Sequence, residues 1–116
     1  KRCEIGRWYD DQFKDISVSP LVQQKGNKSS YHLYVIRVKN GEDERNRLYE
    51  YLIKNGICAN LHYIPIYRQP FFNRKVRLSG AEEYFKSAIS LPIFPTISKK
   101  DLAMIVNKIS IICAHG

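Results

Sequence analysis

Apolar residues recur at helical spacing in three stretches of the chain and alternate or cluster in strand fashion between them. Residues from Lys1 to about Phe13 carry the stripe Cys3, Ile5, Trp8, Tyr9 and Phe13 and predict a helix. Pro20 and the run Gly26-Asn27-Lys28-Ser29-Ser30 predict a loop. Tyr31 to Val38 is the clearest strand, rich in aromatic and β-branched residues. Alternation places Tyr31, Leu33, Val35 and Arg37 on one face and His32, Tyr34, Ile36 and Val38 on the other. His32 there is expected to be buried against a backbone partner.

After Asn40-Gly41 a second helix is expected, capped by Asn40 or Asp43, with Leu48, Tyr49, Leu52 and Ile53 on its apolar face. Asn55-Gly56 ends it, because glycine accepts the left-handed backbone that follows a helix. Ile57 to Ile64 reads as a second strand, stopped by Pro65. If both strands share a sheet, the unit is a right-handed strand-helix-strand crossover. Pro65 to Leu78 is irregular and aromatic, Ser79 to Ala88 a short helix, and Ile89 to Pro95 extended. Ser98-Lys99-Lys100-Asp101 reads as a capping box for a final amphipathic helix through Leu102, Ile105, Val106, Ile109 and Ile112. These elements sum to a two-layer α+β domain, with helices on one face of a small sheet.

With 116 residues the chain is one domain at most, and 44% hydrophobic with 26% charged residues is globular composition, not disordered or fibrous. The apolar stretches are far shorter than the ~20 residues that span a bilayer. Cys3, Cys58 and Cys113 are odd in number and widely spaced, which favours a reducing cytoplasm over a disulfide framework. Lys1 opens directly into helical text with no initiator methionine, the mark expected of an excised fragment. The net charge of +8 is spread over Lys25 and Lys28, Arg45 and Arg47, Arg74, Lys75 and Arg77, Lys99 and Lys100. That dispersion favours a solvated surface over a nucleic-acid footprint.

No self-contained catalytic set stands out. Cys58 and His62 share a predicted strand face, but a packed cysteine beside a hydrogen-bonded histidine is preferred to a nucleophile pair. No zinc spacing and no phosphate-cradling glycine loop are present. Asp10-Asp11 and Glu82-Glu83 read as solvated helix faces. His62-Tyr63-Ile64-Pro65-Ile66-Tyr67 carries polar aromatics where a strand becomes a proline-fixed loop, a usual place for ligand-binding side chains.

Five segments in register resemble the DegT/DnrJ/EryC1/StrS sugar aminotransferases. They are Ser30 to Ile36; Arg47-Leu48 with Leu52 to Ile57; His62 to Pro65 with Gln69 to Phe72; Ala81 to Tyr84; and Ser90 to Pro95 with Asp101. The resemblance covers nearly the whole chain, and the His62 to Pro65 wording is most similar to the branch acting on UDP-4-keto-6-deoxy hexosamines. It implies the type I aminotransferase fold, with residues 1–116 as its small C-terminal domain. The large domain would then hold the Schiff-base lysine, the aspartate facing the pyridine nitrogen and most phosphate ligands. It implies a parent homodimer that uses pyridoxal phosphate to move an amino group from glutamate to a nucleotide-linked keto-sugar in surface-glycan synthesis. No catalytic residue and no cofactor are expected within this fragment, nor a nucleic-acid or membrane partner. Carried over by position, His62 points toward the sugar-nucleotide pocket and Tyr63 flanks its mouth. Tyr67 stands where many members have histidine; Arg68 and Arg74, basic residues near the loop, are candidates to meet a diphosphate, with surface solvation the preferred reading of each. The competing class is a small basic RNA-binding α+β module with bases stacked on exposed strand aromatics. A third is an interaction domain using the Tyr67 to Phe72 loop.

Overall fold

The computed structural model describes residues 1–113. Its elements in chain order are α1 (Arg2–Gln12), β1 (Val18–Pro20), β2 (Tyr34–Val38), α2 (Glu42–Lys54), a single 3-10 turn (Ile66–Arg68), α3 (Ser79–Ser87), β3 (Ala88–Leu91) and α4 (Lys99–Cys113). The three strands form one sheet in the order β1-β2-β3, antiparallel throughout.

The expected parallel crossover is therefore absent among the described residues. Ile57 to Ile64 is coil that touches the sheet at one antiparallel bridge, Asn60 with Ser90. Pro92 and Pro65 explain this, since neither has an N–H with which to extend a ladder. The strand that does complete the sheet is β1, which ends in Pro20 at the sheet edge, where proline's missing donor costs nothing. β2 is also shorter than the apolar run predicts, because Tyr31 sits at φ 49° and leaves the extended region. His32 is exposed rather than buried.

Register fixes which side chains meet. Tyr34 pairs with Leu91, Ile36 with Ile89 and Val38 with Val18, so all six share one face. Those six belong to the continuous core, which Ile5, Tyr9 and Phe13 of α1, Leu48 and Leu52 of α2, and Leu102, Ile105 and Ile109 of α4 complete. Tyr9 stacks on Tyr34 with ring centroids 4.7 Å apart, and its hydroxyl donates to the Pro92 carbonyl at 3.0 Å. Burial pushes the Tyr9 phenol above its ordinary range. Asp10, expected in solvent, accepts the Tyr34 hydroxyl at 2.7 Å and the Tyr31 hydroxyl at 3.4 Å. Arg45, expected on the solvated surface, is buried with its guanidinium 5.0 Å from the Phe85 ring centre and 3.1 Å from the Glu42 carboxylate.

Helix ends follow local chemistry. Neither Asn40 nor Asp43 caps α2 with its side chain; Gly41 takes the cap at φ 79°, and Glu44 reaches back to accept the Asn40 amide at 2.9 Å. Gly56, at φ 75°, closes the other end. Its amide bonds the Ile53 carbonyl and the Ile57 amide bonds that of Leu52, which carries Ile57 into the core. Ser98 caps α4 as expected, accepting the Asp101 amide at 3.0 Å, while its hydroxyl donates to the Asp101 carboxylate at 2.6 Å. No helix among the described residues is long and apolar enough to cross a membrane.

Ile36 is fully buried at the centre of the middle strand. Ile36→Ala is expected to lower unfolding free energy by about 2–5 kcal/mol, read from urea denaturation at constant m-value. A loss under about 1 kcal/mol would contradict this core assignment.

Candidate functional site

The same register that points Ile89 and Leu91 into the core turns Ala88 and Ser90 to the opposite face, beside Val35 and Arg37 of β2. Ser90 is buried, and both its backbone groups are taken by Asn60, at 2.8 Å and 3.0 Å. Its side-chain oxygen is left for His62, whose Nδ1 lies 2.8 Å away. The imidazole is half-buried and meets the Tyr63 ring edge-on, centroids 4.5 Å apart across a cis His62–Tyr63 peptide bond. With Nδ1 engaged, Nε2 is the nitrogen available to a ligand. Tyr63 itself is 71% exposed.

The preferred structural reading of Cys58 and His62 holds in part: His62 is hydrogen-bonded, but Cys58 is not packed. Cys58 lies in coil and is exposed, and the partner of His62 is Ser90. Cys113, by contrast, is buried, which pushes its thiol up to about 11.

Tyr67 and Arg68 meet through a residue that the sequence places on a solvated face. The Glu82 side chain is only 13% exposed. It accepts the Tyr67 hydroxyl at 2.7 Å and Arg68 Nε at 3.0 Å on Oε1, and pairs with Arg68 Nη2 through Oε2. The Tyr67 hydrogen bond, helped by the Arg68 charge, holds the Glu82 carboxyl below its ordinary value. Burial, then the bond to Glu82, pushes the Tyr67 phenol up. Glu83 does face solvent, and bridges to Arg37 at 2.9 Å. Arg37 Nε also donates to the Ser87 hydroxyl at 2.8 Å, tying β2 to the end of α3.

The loop carrying these residues is closed on Tyr67. Its carbonyl accepts the Arg74 amide at 3.2 Å, and its hydroxyl accepts the Leu78 amide at 3.3 Å. Tyr67, Arg68, Arg74, Lys75, Val76 and Arg77 line an open cleft of about 360 Å³. Phe71 stands 91% exposed, and Ile64, Ile66, Phe72 and Leu78 of the same segment are also exposed. Exposed apolar side chains gathered in one segment suit a contact surface.

The structure thus gathers the four sequence candidates into two groups: His62 with Tyr63 on Ser90, and Tyr67 with Arg68 on Glu82. Ser90 and Glu82 were missed as site residues. The small-large alternation of Ala88-Ile89-Ser90-Leu91 signals Ser90, whereas nothing in the local text links Glu82 to Arg68 and Tyr67, 14 and 15 positions away.

A match to the model of the DegT/DnrJ/EryC1/StrS aminotransferase family runs over residues 1–110. The chain belongs to this family. It is 35% identical over 115 residues to the UDP-4-amino-4,6-dideoxy-N-acetyl-beta-L-altrosamine transaminase of Helicobacter pylori, covering 94% of this chain and 30% of that protein. The same enzyme of Campylobacter jejuni is 30% identical over 106 residues, 87% of this chain and 28% of its own length. Among solved structures, Helicobacter pylori PseC, an aminotransferase involved in the biosynthesis of pseudoaminic acid, superposes with TM-score 0.85 at 29% identity. That match covers 99% of this chain and 32% of PseC. A Streptococcus pneumoniae protein assigned as a sugar aminotransferase, solved in PLP and PMP forms, gives TM-score 0.84 at 28% identity, over 96% and 30% of the two chains. The chain thus spans under a third of the length of these relatives.

Pyridoxal phosphate needs a lysine in an enclosed pocket with a carboxylate at the pyridine nitrogen. The lysines among the described residues are exposed, save half-buried Lys108, whose ammonium lies over the Tyr51 ring at 5.7 Å. These residues do not by themselves fit the cofactor. The sheet does not suit RNA either: the strand aromatic Tyr34 is inside the core, so it offers no ring on which a base can stack.

Two outcomes test this geometry. Ser90→Ala is expected to free the imidazole, giving His62 mixed tautomers and a mobile ring by nitrogen-15 NMR, for a stability loss of only about 1 kcal/mol. Unchanged His62 signals would contradict the assigned support. Glu82 is stabilising above its ordinary value of 4.5, and that contribution disappears as pH falls through the lower folded value. Glu82→Gln should therefore lower the urea midpoint at about pH 7, and that difference should shrink progressively as the pH falls below 4.5. A difference independent of pH would remove the charge from the explanation.

Proposed function

We propose that the chain is the small C-terminal domain of a pyridoxal-phosphate-dependent transaminase that moves an amino group from glutamate to a nucleotide-linked keto-sugar for surface-glycan synthesis. The observation that carries this reading is the continuous family match over residues 1–110, with relatives named for sugar-nucleotide transamination. The geometry adds an imidazole fixed by a buried serine at the junction of coil and loop, with an exposed tyrosine beside it. In this reading the cofactor, its lysine and its phosphate ligands lie in the part of the protein outside this chain. The chain contributes binding and orientation.

His62 acts as the orienting group. Its Nε2 meets a polar oxygen or nitrogen of the sugar nucleotide while Ser90 prevents the ring from turning away. Tyr63 supplies a flat, amphipathic wall at the mouth. Tyr67 and Arg68, clasped by Glu82, hold the following loop at the edge of the pocket. The exposed Phe71 and its apolar neighbours suit a surface covered by the rest of the protein or by the second subunit of a dimer. Keeping that loop rigid matters because a displacement near 1 Å at a positioning group costs roughly a hundredfold in rate.

The full-length protein is expected to show the absorbance of bound pyridoxal phosphate, to change it on addition of glutamate, and to release 2-oxoglutarate. A colourless protein indifferent to both would overturn the reading. His62→Ala in that protein is expected to raise KM for the sugar nucleotide roughly tenfold, the cost of one charge-assisted or well-fixed hydrogen bond. The glutamate-driven absorbance change should be unaltered.

A further inference from the structure

Tyr31 packs only partly against the core, yet it is held in an unfavourable conformation. Its φ of 49° is left-handed, a region that bulky residues sparsely occupy. Its ring lies so close to Gly6 of α1 that a Cβ there would stand 2.6 Å from Tyr31 Cε1. A glycine inside a helix is itself unfavourable relative to alanine. Two local penalties therefore converge on one half-buried ring. The Ser29 hydroxyl fixes the arrangement by accepting the Tyr31 amide at 3.0 Å. The outcome is a ring set beside that of Tyr34, centroids 6.2 Å apart, with its hydroxyl on Asp10.

Tyr31 lines an open cavity of about 400 Å³ together with Asp10, Pro20, Leu21, Val22 and Gln23. That volume falls within the range of small-molecule sites. Asp10 is its one charged group. Oδ1 accepts the Tyr34 hydroxyl and Oδ2 that of Tyr31, and each oxygen keeps lone-pair capacity for a ligand. Burial first, and Asp10 second, push both phenols above their ordinary value, so both remain donors to the carboxylate. Among the described residues no lysine or arginine forms an ion pair with Asp10. Arg7, one turn earlier on α1, reaches Tyr31 with its charge, and Lys14 is committed to Asp11 at 2.6 Å. The remaining lining is mostly apolar, and Val22 is 95% exposed there. Its segment is tied down on both sides: the Leu21 amide donates to the Val35 carbonyl at 3.3 Å, and Gln23 Oε1 accepts the Ser29 amide at 3.1 Å.

We propose that this cavity is a binding site for a small organic ammonium ion with an apolar body. Asp10 accepts its N–H donors in charge-assisted bonds, and the Tyr31 ring adds the attraction of an aromatic quadrupole for a cation. Leu21 and Val22 cover the hydrocarbon and lose their own exposure to water. A neutral polyol would leave the Asp10 charge uncompensated and gain little from the apolar lining, and an anion would be repelled by it. The chain as a whole carries +8, so net charge draws no cation to its surface, and selectivity for one is a property of this cavity. Gly6 and Ser29 are positioning residues, acting through Tyr31. None of the lining residues belongs to the His62 or Glu82 groups, and the site stands whether or not the proposed function does.

The test is an amide NMR titration of this chain with phenethylammonium, phenethyl alcohol and phenylacetate, three probes that share an aromatic body and differ in charge. Phenethylammonium is expected to shift the amides of Asp10, Leu21, Val22, Gln23 and Tyr31, with the alcohol and the anion weaker by roughly tenfold or more. Asp10→Asn keeps an acceptor for the Tyr34 hydroxyl and removes the charge; it should weaken phenethylammonium by roughly tenfold, whereas Glu50→Gln, on exposed α2 surface, should not. Gly6→Ala favours the helix but displaces the Tyr31 ring, and should weaken the same probe by roughly fivefold. The amide map of the unaltered chain locates the probe whether or not a variant folds. The preference for the ammonium should persist in calorimetry of the full-length protein. Equal binding of the three probes, shifts confined to other residues, or the same loss from Glu50→Gln as from Asp10→Asn would each overturn the proposal. So would a full-length protein that does not bind phenethylammonium.

Discussion

Along β3, Ala88, Ile89, Ser90 and Leu91 alternate small and large against β2, and the pairing of Val35 with Ser90 and Ile36 with Ile89 divides them between two faces. A slip of one residue would drive Ser90 into the core and turn Ile89 and Leu91 outward. The large residues anchor the register, since Ile89 is fully buried and Leu91 packs against the layer holding Tyr34, Tyr9 and Phe13. Once they are seated, Ser90 has no freedom. Its backbone captures Asn60 and its hydroxyl captures His62, so a hydrophobic constraint becomes a polar positioning device. The site inherits its geometry from the core.

A second device secures the other half of the loop. Glu82, on the first turn of α3, collects Tyr67 and Arg68 from a segment with no regular structure beyond a single 3-10 turn. Charge-assisted bonds of this kind can hold an irregular segment that has little apolar burial of its own. They also remove Arg68 from the set of free cations and leave Arg74, Lys75 and Arg77 as the positive lining. The loop therefore offers fixed polar groups at one end and exposed apolar side chains at the other, a combination that suits a pocket edge meeting further protein.

Three of the four helices were legible because each buries a stripe that recurs at helical spacing, as Leu48 and Leu52 or Leu102, Ile105 and Ile109 do, whereas α3 buries only Ser87. The Ser98 cap and the Gly56 stop are local chemistry and were legible for the same reason. The sheet was not. Ile57 to Ile64 has strand-like text, but pairing is decided by available edges, and Pro92 leaves β3 only four residues of ladder. Val18–Pro20 is too short to show a period, and its strand character comes from β2 beside it. His62, Tyr63, Tyr67 and Arg68 could be singled out from the aromatic, proline-fixed text. Their supports could not: Ser90 acts across 28 positions and Glu82 across 14 and 15, distances at which a single sequence carries no pairing signal. Asp10 and Arg45 were misread as solvated for the same reason.

The most direct test is a crystal structure of the full-length protein with a nucleotide-linked sugar bound. The account predicts His62 Nε2 within hydrogen-bond distance of the ligand while Nδ1 keeps its bond to Ser90. A ligand seated away from His62, or an imidazole turned off Ser90 to reach it, would contradict the account.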